Sequence, residues 1–136
     1  MRVALIGYGA MGKLIANLLK EQGDEVAVII DEKDADATAE ELSAKLKGAD
    51  TAIDFSTAEA VLRNVEACLL AKVPLTEGTT GWNNEIETVR KLVEKYDGAF
   101  VFGANFSVGV NLFYRIVSHA AELFSRFGEY ETFIEE

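Results

Sequence analysis

The chain has 136 residues, of which 49% are hydrophobic and 26% charged, with a single proline and a single cysteine. That length supports one core able to remove roughly two thirds of the unfolded surface from water, and the composition carries no signature of disorder or of a low-complexity linker. The formal net charge of -10 argues against a nucleic-acid partner, because phosphate-binding faces are basic.

From the amino terminus, MRVALIGYG enters an apolar run that breaks at Gly7. It is too short for a signal peptide or a membrane span, so a cytoplasmic protein with no membrane partner is expected. RVALI at 2–6 reads as a first strand, followed by a helix from Met11 to Gln22 that Gly23 closes. EVAVII at 25–30 is a second strand, and Thr38 with Glu41 has the capping-box spacing that opens a helix running to Leu46. TAIDF at 51–55 is a third strand. Ser56 and Glu59 have the same spacing and predict the start of the helix that carries Val61, Val65, Cys68 and Leu69. On that apolar stripe Cys68 is expected to pack in the core. VPLTE at 73–77 is a fourth strand, weakened at its start by Pro74. A helix bearing Ile86, Val89, Val93 and Tyr96 leads to a fifth strand, AFVF at 99–102. Beyond it, Val110, Phe113, Val117, Ala121 and Phe124 mark a further helix, and YETFI at 130–134 reads as one more strand.

Alternating strands and helices predict a parallel α/β sheet, doubly wound, with right-handed crossovers and helices on both faces. The expected strand order is 3-2-1-4-5, the dinucleotide-binding arrangement. Within it, Gly7, Gly9 and Gly12 form G-x-G-x-x-G at the end of a strand and the start of a helix, the context that gives the motif its meaning. Gly7 permits the tight turn, Gly9 admits a pyrophosphate to the backbone, and Gly12 lets helix and strand pack closely. Tyr8, Ala10 and Met11 complete this candidate cofactor loop. A purely structural turn is the competing account.

Asp31 lies 19 residues beyond Gly12, where a carboxylate can accept from adenosine ribose hydroxyls, which favours NAD(H). Lys33 can reach a ribose 2'-phosphate, so NADP(H) stays open; an ordinary solvated loop is the alternative for both residues. Gly78, Thr79, Thr80 and Gly81 follow the fourth strand at the edge where open α/β sheets bind ligands, and their hydroxyl and backbone groups suit a nicotinamide carboxamide. A conformational turn would use the same residues. GANFSVGVN at 103–111 supplies a second wall. Trp82 is expected to pack rather than to lid the site. The lone His119 sits beside the apolar stripe of the last helix with no partner at ligand spacing, so it is read as a surface residue; neither a nucleophilic triad nor a metal cluster is present.

Together VALIGYGAMG, AIDFS, EGTTGW and FGANFSVGVN resemble, in order, the motifs of the dihydrodipicolinate reductase family (4-hydroxy-tetrahydrodipicolinate reductase) of lysine and diaminopimelate biosynthesis. The resemblance implies hydride transfer from NADH or NADPH to a cyclic dicarboxylate imine. It assigns cofactor binding to Gly7–Gly12, Asp31, Lys33, Phe55, Ser56, Gly78, Thr79, Thr80, Gly103, Ala104, Asn105 and Phe106, with Thr80 also touching substrate. It further implies a dinucleotide-binding domain over 1–106, a hinge and the start of an α+β substrate domain over 107–136, and a homotetramer for full-length members. The family's paired-histidine and lysine motif, and the Asp-Ala-Pro-Ser-Gly-Thr stretch after it, should follow FIEE at 133–136. Without them the chain resembles a truncated reductase with no catalytic residue of its own. A non-catalytic NAD(P)-binding module is the alternative; another dehydrogenase of this fold, such as an aspartate or homoserine dehydrogenase relative, is disfavoured by NFSVGVN.

Overall fold

Every strand predicted up to residue 102 forms, and each is parallel to its neighbours. In the computed structural model, which describes residues 1–131 and 133, these are β1 (Arg2–Ile6), β2 (Glu25–Ile30), β3 (Thr51–Asp54), β4 (Leu75–Glu77) and β5 (Phe100–Phe102). The helices between them are α1 (Ala10–Gln22), α2 (Ala39–Leu46), α3 (Val61–Ala71) and α4 (Ile86–Tyr96), and α5 (Val108–Phe124) follows. The chain divides into two compact units, Met1–Ala104 and Asn105–Glu136. Among the described residues no helix is long and apolar enough to cross a membrane.

The strand order is β2-β1-β3-β4-β5, which corrects the expected 3-2-1-4-5. After β2 the chain does not continue outward; it returns across β1 and adds β3 to the free edge of β1. Reversing direction while keeping a right-handed crossover moves the connecting helix to the opposite face of the sheet. Burial explains the choice. Ala4 and Ile6 of β1 and Ile30 of β2 face away from α1, and they are covered by Ala39, Leu42 and Leu46 of α2 together with the apolar side of α3. Had β3 docked outside β2, α2 would lie on the face of α1 and leave these residues in water. α1 covers the other face, packing Ile15, Ala16 and Leu19 with Val3, Leu5 and Ile53. As a result β1 is an interior strand, held between β2 and β3 and buried at Val3, Ala4, Leu5 and Ile6.

Local signals account for most boundaries. The capping box forms as expected, with Glu41 N–H donating to Thr38 Oγ1 at 3.2 Å and Thr38 N–H to Glu41 Oε2 at 2.8 Å. Ser56 and Glu59 do not cap α3. A single 3-10 turn at Ala58–Ala60 intervenes, and the polar groups of Ser56 are drawn inward to Asp54, Asn64 and Thr79 instead. Pro74 falls just outside β4 and contributes only its carbonyl, which accepts from Ala52 N–H at 2.8 Å. Cys68 is a buried free thiol, as its place on the stripe predicts. Trp82 is 5% exposed and packs edge-on against Phe102 and Phe100, with ring centroids 5.2 and 6.2 Å away. In the second unit, Ser107 Oγ accepts from Val110 N–H at 3.3 Å to start α5. The expected strand at 130–134 falls partly on Thr132 and Ile134, which lie outside the described residues.

Replacing Leu42 by Ala should lower the unfolding free energy by about 3 kcal/mol, because it opens a cavity where α2 meets the sheet. Thr38→Ala should cost about 1 kcal/mol through loss of the cap. Urea denaturation of the two variants gives the comparison, and equal losses would contradict this account of how α2 is held.

Candidate functional site

At the carboxyl end of β1 the three motif glycines have different reasons to lack a side chain. Gly7 has φ +82, and a Cβ there would run into the backbone carbonyl of Phe55 at the end of β3. A Cβ on Gly12 would strike the carbonyl of Gly7, so this residue sets the approach of α1 to the turn. Gly9 is different. It has an ordinary φ of -75 and nothing within 4 Å of where its Cβ would be. Neither backbone strain nor packing requires glycine here, and the free space lies at the N-cap of α1. The first amide taken within the helix is Lys13 N–H, on Gly9 carbonyl at 3.1 Å, and the first turn has no acidic side chain. The amides of Ala10, Met11 and Gly12 therefore end a helix dipole with no intrahelical acceptor, the standard setting for an anionic group.

Two adjoining cavities flank this turn. One, of about 300 Å³, is bounded by Gly7, Tyr8, Gly9, Asp31 and Arg63; the other, of about 330 Å³, by Met11, Gly78, Thr79 and Thr80. Phe55, Ser56 and Thr57 form the wall that both share. The pair spans the gap between β1 and β3, the point where the strand order reverses and where open α/β sheets take their ligands. Asp31 accepts Tyr8 N–H on Oδ1 at 3.2 Å, which fixes the carboxylate at the rim of the first cavity. Lys33 is placed elsewhere, in a separate groove with Glu41 and Lys45. Gly78 has no room for a side chain because the Phe55 ring occupies it. Gly103 closes the end of β5, with its N–H on Glu77 carbonyl at 3.1 Å, and Ala104 is the last residue of the first unit. Asn105 and Phe106 belong to the second unit, where Asn105 Oδ1 accepts Ser107 N–H at 2.8 Å.

Arg63 is a cavity residue that the motif reading overlooks. Its Nη1 donates to the carbonyls of Asp34, Ala35 and Ala37, so α3 pins the loop that follows Asp31. Asp34, bonded to Lys45 and to Asp31 N–H, braces the same loop, and its carboxyl is held below the usual range chiefly by the Lys45 hydrogen bond. His119, on α5, has a side chain 71% exposed with Glu122 beside it at 4.0 Å, as expected of a surface residue. Among the described residues no group of His, Cys, Asp and Glu side chains could hold a metal ion.

Two acidic residues also lie outside the motifs, although a carboxyl inside an apolar strand run is a visible anomaly. Asp54 and Glu77 end β3 and β4, are register partners, and are both 0% exposed. Asp54 accepts from Ser56 N–H at 2.8 Å and from Asn64 Nδ2 at 2.8 Å; Glu77 Oε1 accepts from Thr79 N–H at 2.7 Å. Burial, and then the charge of Asp54, push the Glu77 carboxyl up to about 8, and burial also raises Asp54. The folded protein thus holds a proton that the unfolded chain releases near pH 4.5. Stability should fall as pH rises from about 4.5 to about 8 and then level off, because over that window the native state binds more protons. Urea midpoints measured across the window test this, and Glu77→Gln should flatten the decline.

Residues 1–106 match the family model described as dihydrodipicolinate reductase, N-terminus. The 4-hydroxy-tetrahydrodipicolinate reductase of Christiangramia forsetii is 32% identical over 136 residues, covering 100% of this chain and 55% of the relative. That of Archaeoglobus fulgidus is 34% identical over 137 residues, 90% of this chain and 52% of the relative. The Staphylococcus carnosus enzyme is 35% identical over 128 residues, 90% and 51% respectively. The chain spans about half the length of these curated relatives. With most of its residues under that model and a dinucleotide-type crevice at the switch point of its sheet, the chain belongs to the dihydrodipicolinate reductase family, with residues 1–106 matching the family's N-terminal part.

Proposed function

We propose that this chain is the cofactor-binding half of an NAD(P)H-dependent reductase that converts 4-hydroxy-tetrahydrodipicolinate, a cyclic dicarboxylate, to tetrahydrodipicolinate. The observation that carries the reading is Gly9, a glycine that neither strain nor packing requires, at a helix start whose amides are free. A bound dinucleotide supplies the hydride. The chain's own residues supply the fit: the amides of Ala10 to Gly12 meet the pyrophosphate, and Asp31 accepts from the adenosine ribose with the oxygen that Tyr8 leaves free. Thr79 and Thr80 line the second cavity and orient the carboxamide end, with Thr80, the more exposed of the two, also next to substrate. Phe55 and Ser56 separate the two ends. Gly103 and Ala104, which follow β5, continue the nicotinamide side, Asn105 and Phe106 are assigned by the family resemblance alone, and Lys33 reaches a 2'-phosphate only by leaving its own groove. We further propose a cytoplasmic setting and a homotetramer of the full-length protein.

Reduction of an imine also needs an acceptor held in place and a proton delivered to it. Among the described residues that line the two cavities the one basic side chain is Arg63, and its Nη1 is committed to three carbonyls. That observation also favours a second reading, in which this chain by itself binds NAD(P) without catalysis.

Titration calorimetry should find NADH bound, with Gly9→Val weakening it by about tenfold or more in a chain that still folds, since the new side chain fills the pyrophosphate position. Undiminished affinity in that variant would move the pyrophosphate elsewhere. Asp31→Ala should narrow the preference for NADH over NADPH by removing a carboxylate from beside the 2'-position. In an NADH-oxidation assay with enzymatically generated substrate, the chain should bind cofactor yet turn over far more slowly than a version extended through the His-His and Lys motif. Comparable rates would overturn the division of labour proposed here.

A further inference from the structure

Under the loops that line the second cavity, the Asp54–Glu77 pair is arranged in a way that burial alone does not explain. The two carboxyls sit side by side on one face of the sheet, within hydrogen-bonding reach of each other. The groups packed against them are Ile6 of β1, Phe102 of β5, Asn64 and Cys68 of α3, and the loop residues Ser56 and Thr79. None is basic. Arg63, next to Asn64, reaches its amide oxygen at 3.4 Å and neither carboxyl, and burial pushes the Cys68 thiol up, so it stays neutral. Both Asp54 oxygens and Glu77 Oε1 have donors, whereas Glu77 Oε2 is buried with none. Two ionised carboxylates at this spacing with no cation would repel strongly in a poorly screened interior. One proton on Glu77 Oε2 removes the repulsion and turns the unpartnered acceptor into a donor toward Asp54.

We propose that Glu77 is a positioning residue of the cofactor crevice: its neutral carboxyl donates to Asp54 from Oε2 while Oε1 holds Thr79 N–H, so one proton locks the loops after β3 and β4 together. The bonds that follow from this lock run outward to the cavity wall. Ser56 N–H bridges Asp54 Oδ1 at 2.8 Å and Thr79 Oγ1 at 3.1 Å, and Asn64 ties Asp54 to Ser56 Oγ at 3.1 Å. Ser56 and Thr79 face the second cavity, so losing the proton separates the residues that shape it. The Glu77 carboxyl, raised to about 8 by burial and by Asp54, makes that loss an event of mildly alkaline solution.

The inference rests on the cofactor reading, and the test separates the two. Carbon-13 NMR of the side-chain carboxyls should show Glu77 neutral at about pH 6.5 in the chain without ligand. NADH affinity should fall about tenfold or more between about pH 6.5 and about pH 9.5, as expected when the competent form loses a proton at least one unit below the upper limit. Glu77→Gln keeps an acceptor for Thr79 and a donor for Asp54 but cannot ionise, so the fall should shrink to about twofold or less. Glu77→Leu should weaken NADH at both pH values. Asp54→Asn, a second probe should the glutamine variant fold poorly, should let Glu77 ionise at lower pH because the repulsion is gone. A Glu77 that is already ionised at about pH 6.5, or an equal fall for the wild type and Glu77→Gln, overturns the inference. A neutral Glu77 in a chain that binds no NADH at any pH overturns the cofactor reading, and the positioning role with it.

Discussion

The close approach of Gly7 to the carbonyl of Phe55 is the contact on which the crevice depends. It brings the turn after β1 against the turn after β3, two segments far apart in sequence, and it can exist only because β3 returns to the free edge of β1. Gly7 N–H also bonds the Ile30 carbonyl at 2.8 Å on the other side, so one residue joins the ends of three strands. From this junction the first turn of α1 starts with its amides unclaimed, Asp31 is presented by β2, and Ser56 and Thr57 rise as the wall between the two cavities. Core packing supports it from below: with Ala4 and Ile6 covered by α2 and α3, the end of β1 has no freedom to shift away from β3.

Around that junction, polar groups do the work that apolar packing does elsewhere. Asn64 is buried on α3 and spends its amide on Asp54 and Ser56; Arg63, one residue earlier, turns the opposite way to hold the loop beyond Asp31. A single turn of α3 therefore braces both ends of the crevice. Buried networks of this kind stabilise most when every member is satisfied, and here Glu77 Oε2 and Arg63 Nε are the buried polar atoms left without a partner among the described residues.

What could be read from residues alone was what local geometry determines. The capping box at Thr38 and Glu41, the strand break at Gly7 and the apolar stripe holding Cys68 each depend on neighbours within a few residues, and each forms as predicted. The strand order depended instead on which face α2 would cover, a question settled by Leu42 and Leu46 joining the buried cluster that holds Ala4, Ile6 and Ile30 and not by any signal between β2 and β3. Ser56 failed as a cap for a related reason. Its capping pattern is local, but the buried Asp54 and Asn64 compete for the same polar atoms and win by being within reach in three dimensions. The glycine turn, Asp31 and the Gly78–Thr80 loop stood out as motif residues, whereas Arg63, Asp54 and Glu77 did not, because their roles come from partners 10 to 29 positions away.

Trp82 gives the molecule an optical property of its own. It is the only tryptophan, its ring is packed against Phe100 and Phe102, and its Nε1 donates to the Thr79 carbonyl at 2.8 Å. The indole therefore touches both the apolar interior and the backbone of a loop that lines the second cavity. Indole emission shifts with the polarity and hydrogen bonding around the ring, so a displacement of the Thr79 turn and a loosening of the β4–β5 edge would each change the colour of one chromophore. The intrinsic fluorescence of the chain is in this sense a gauge of the loop, installed by packing rather than by labelling.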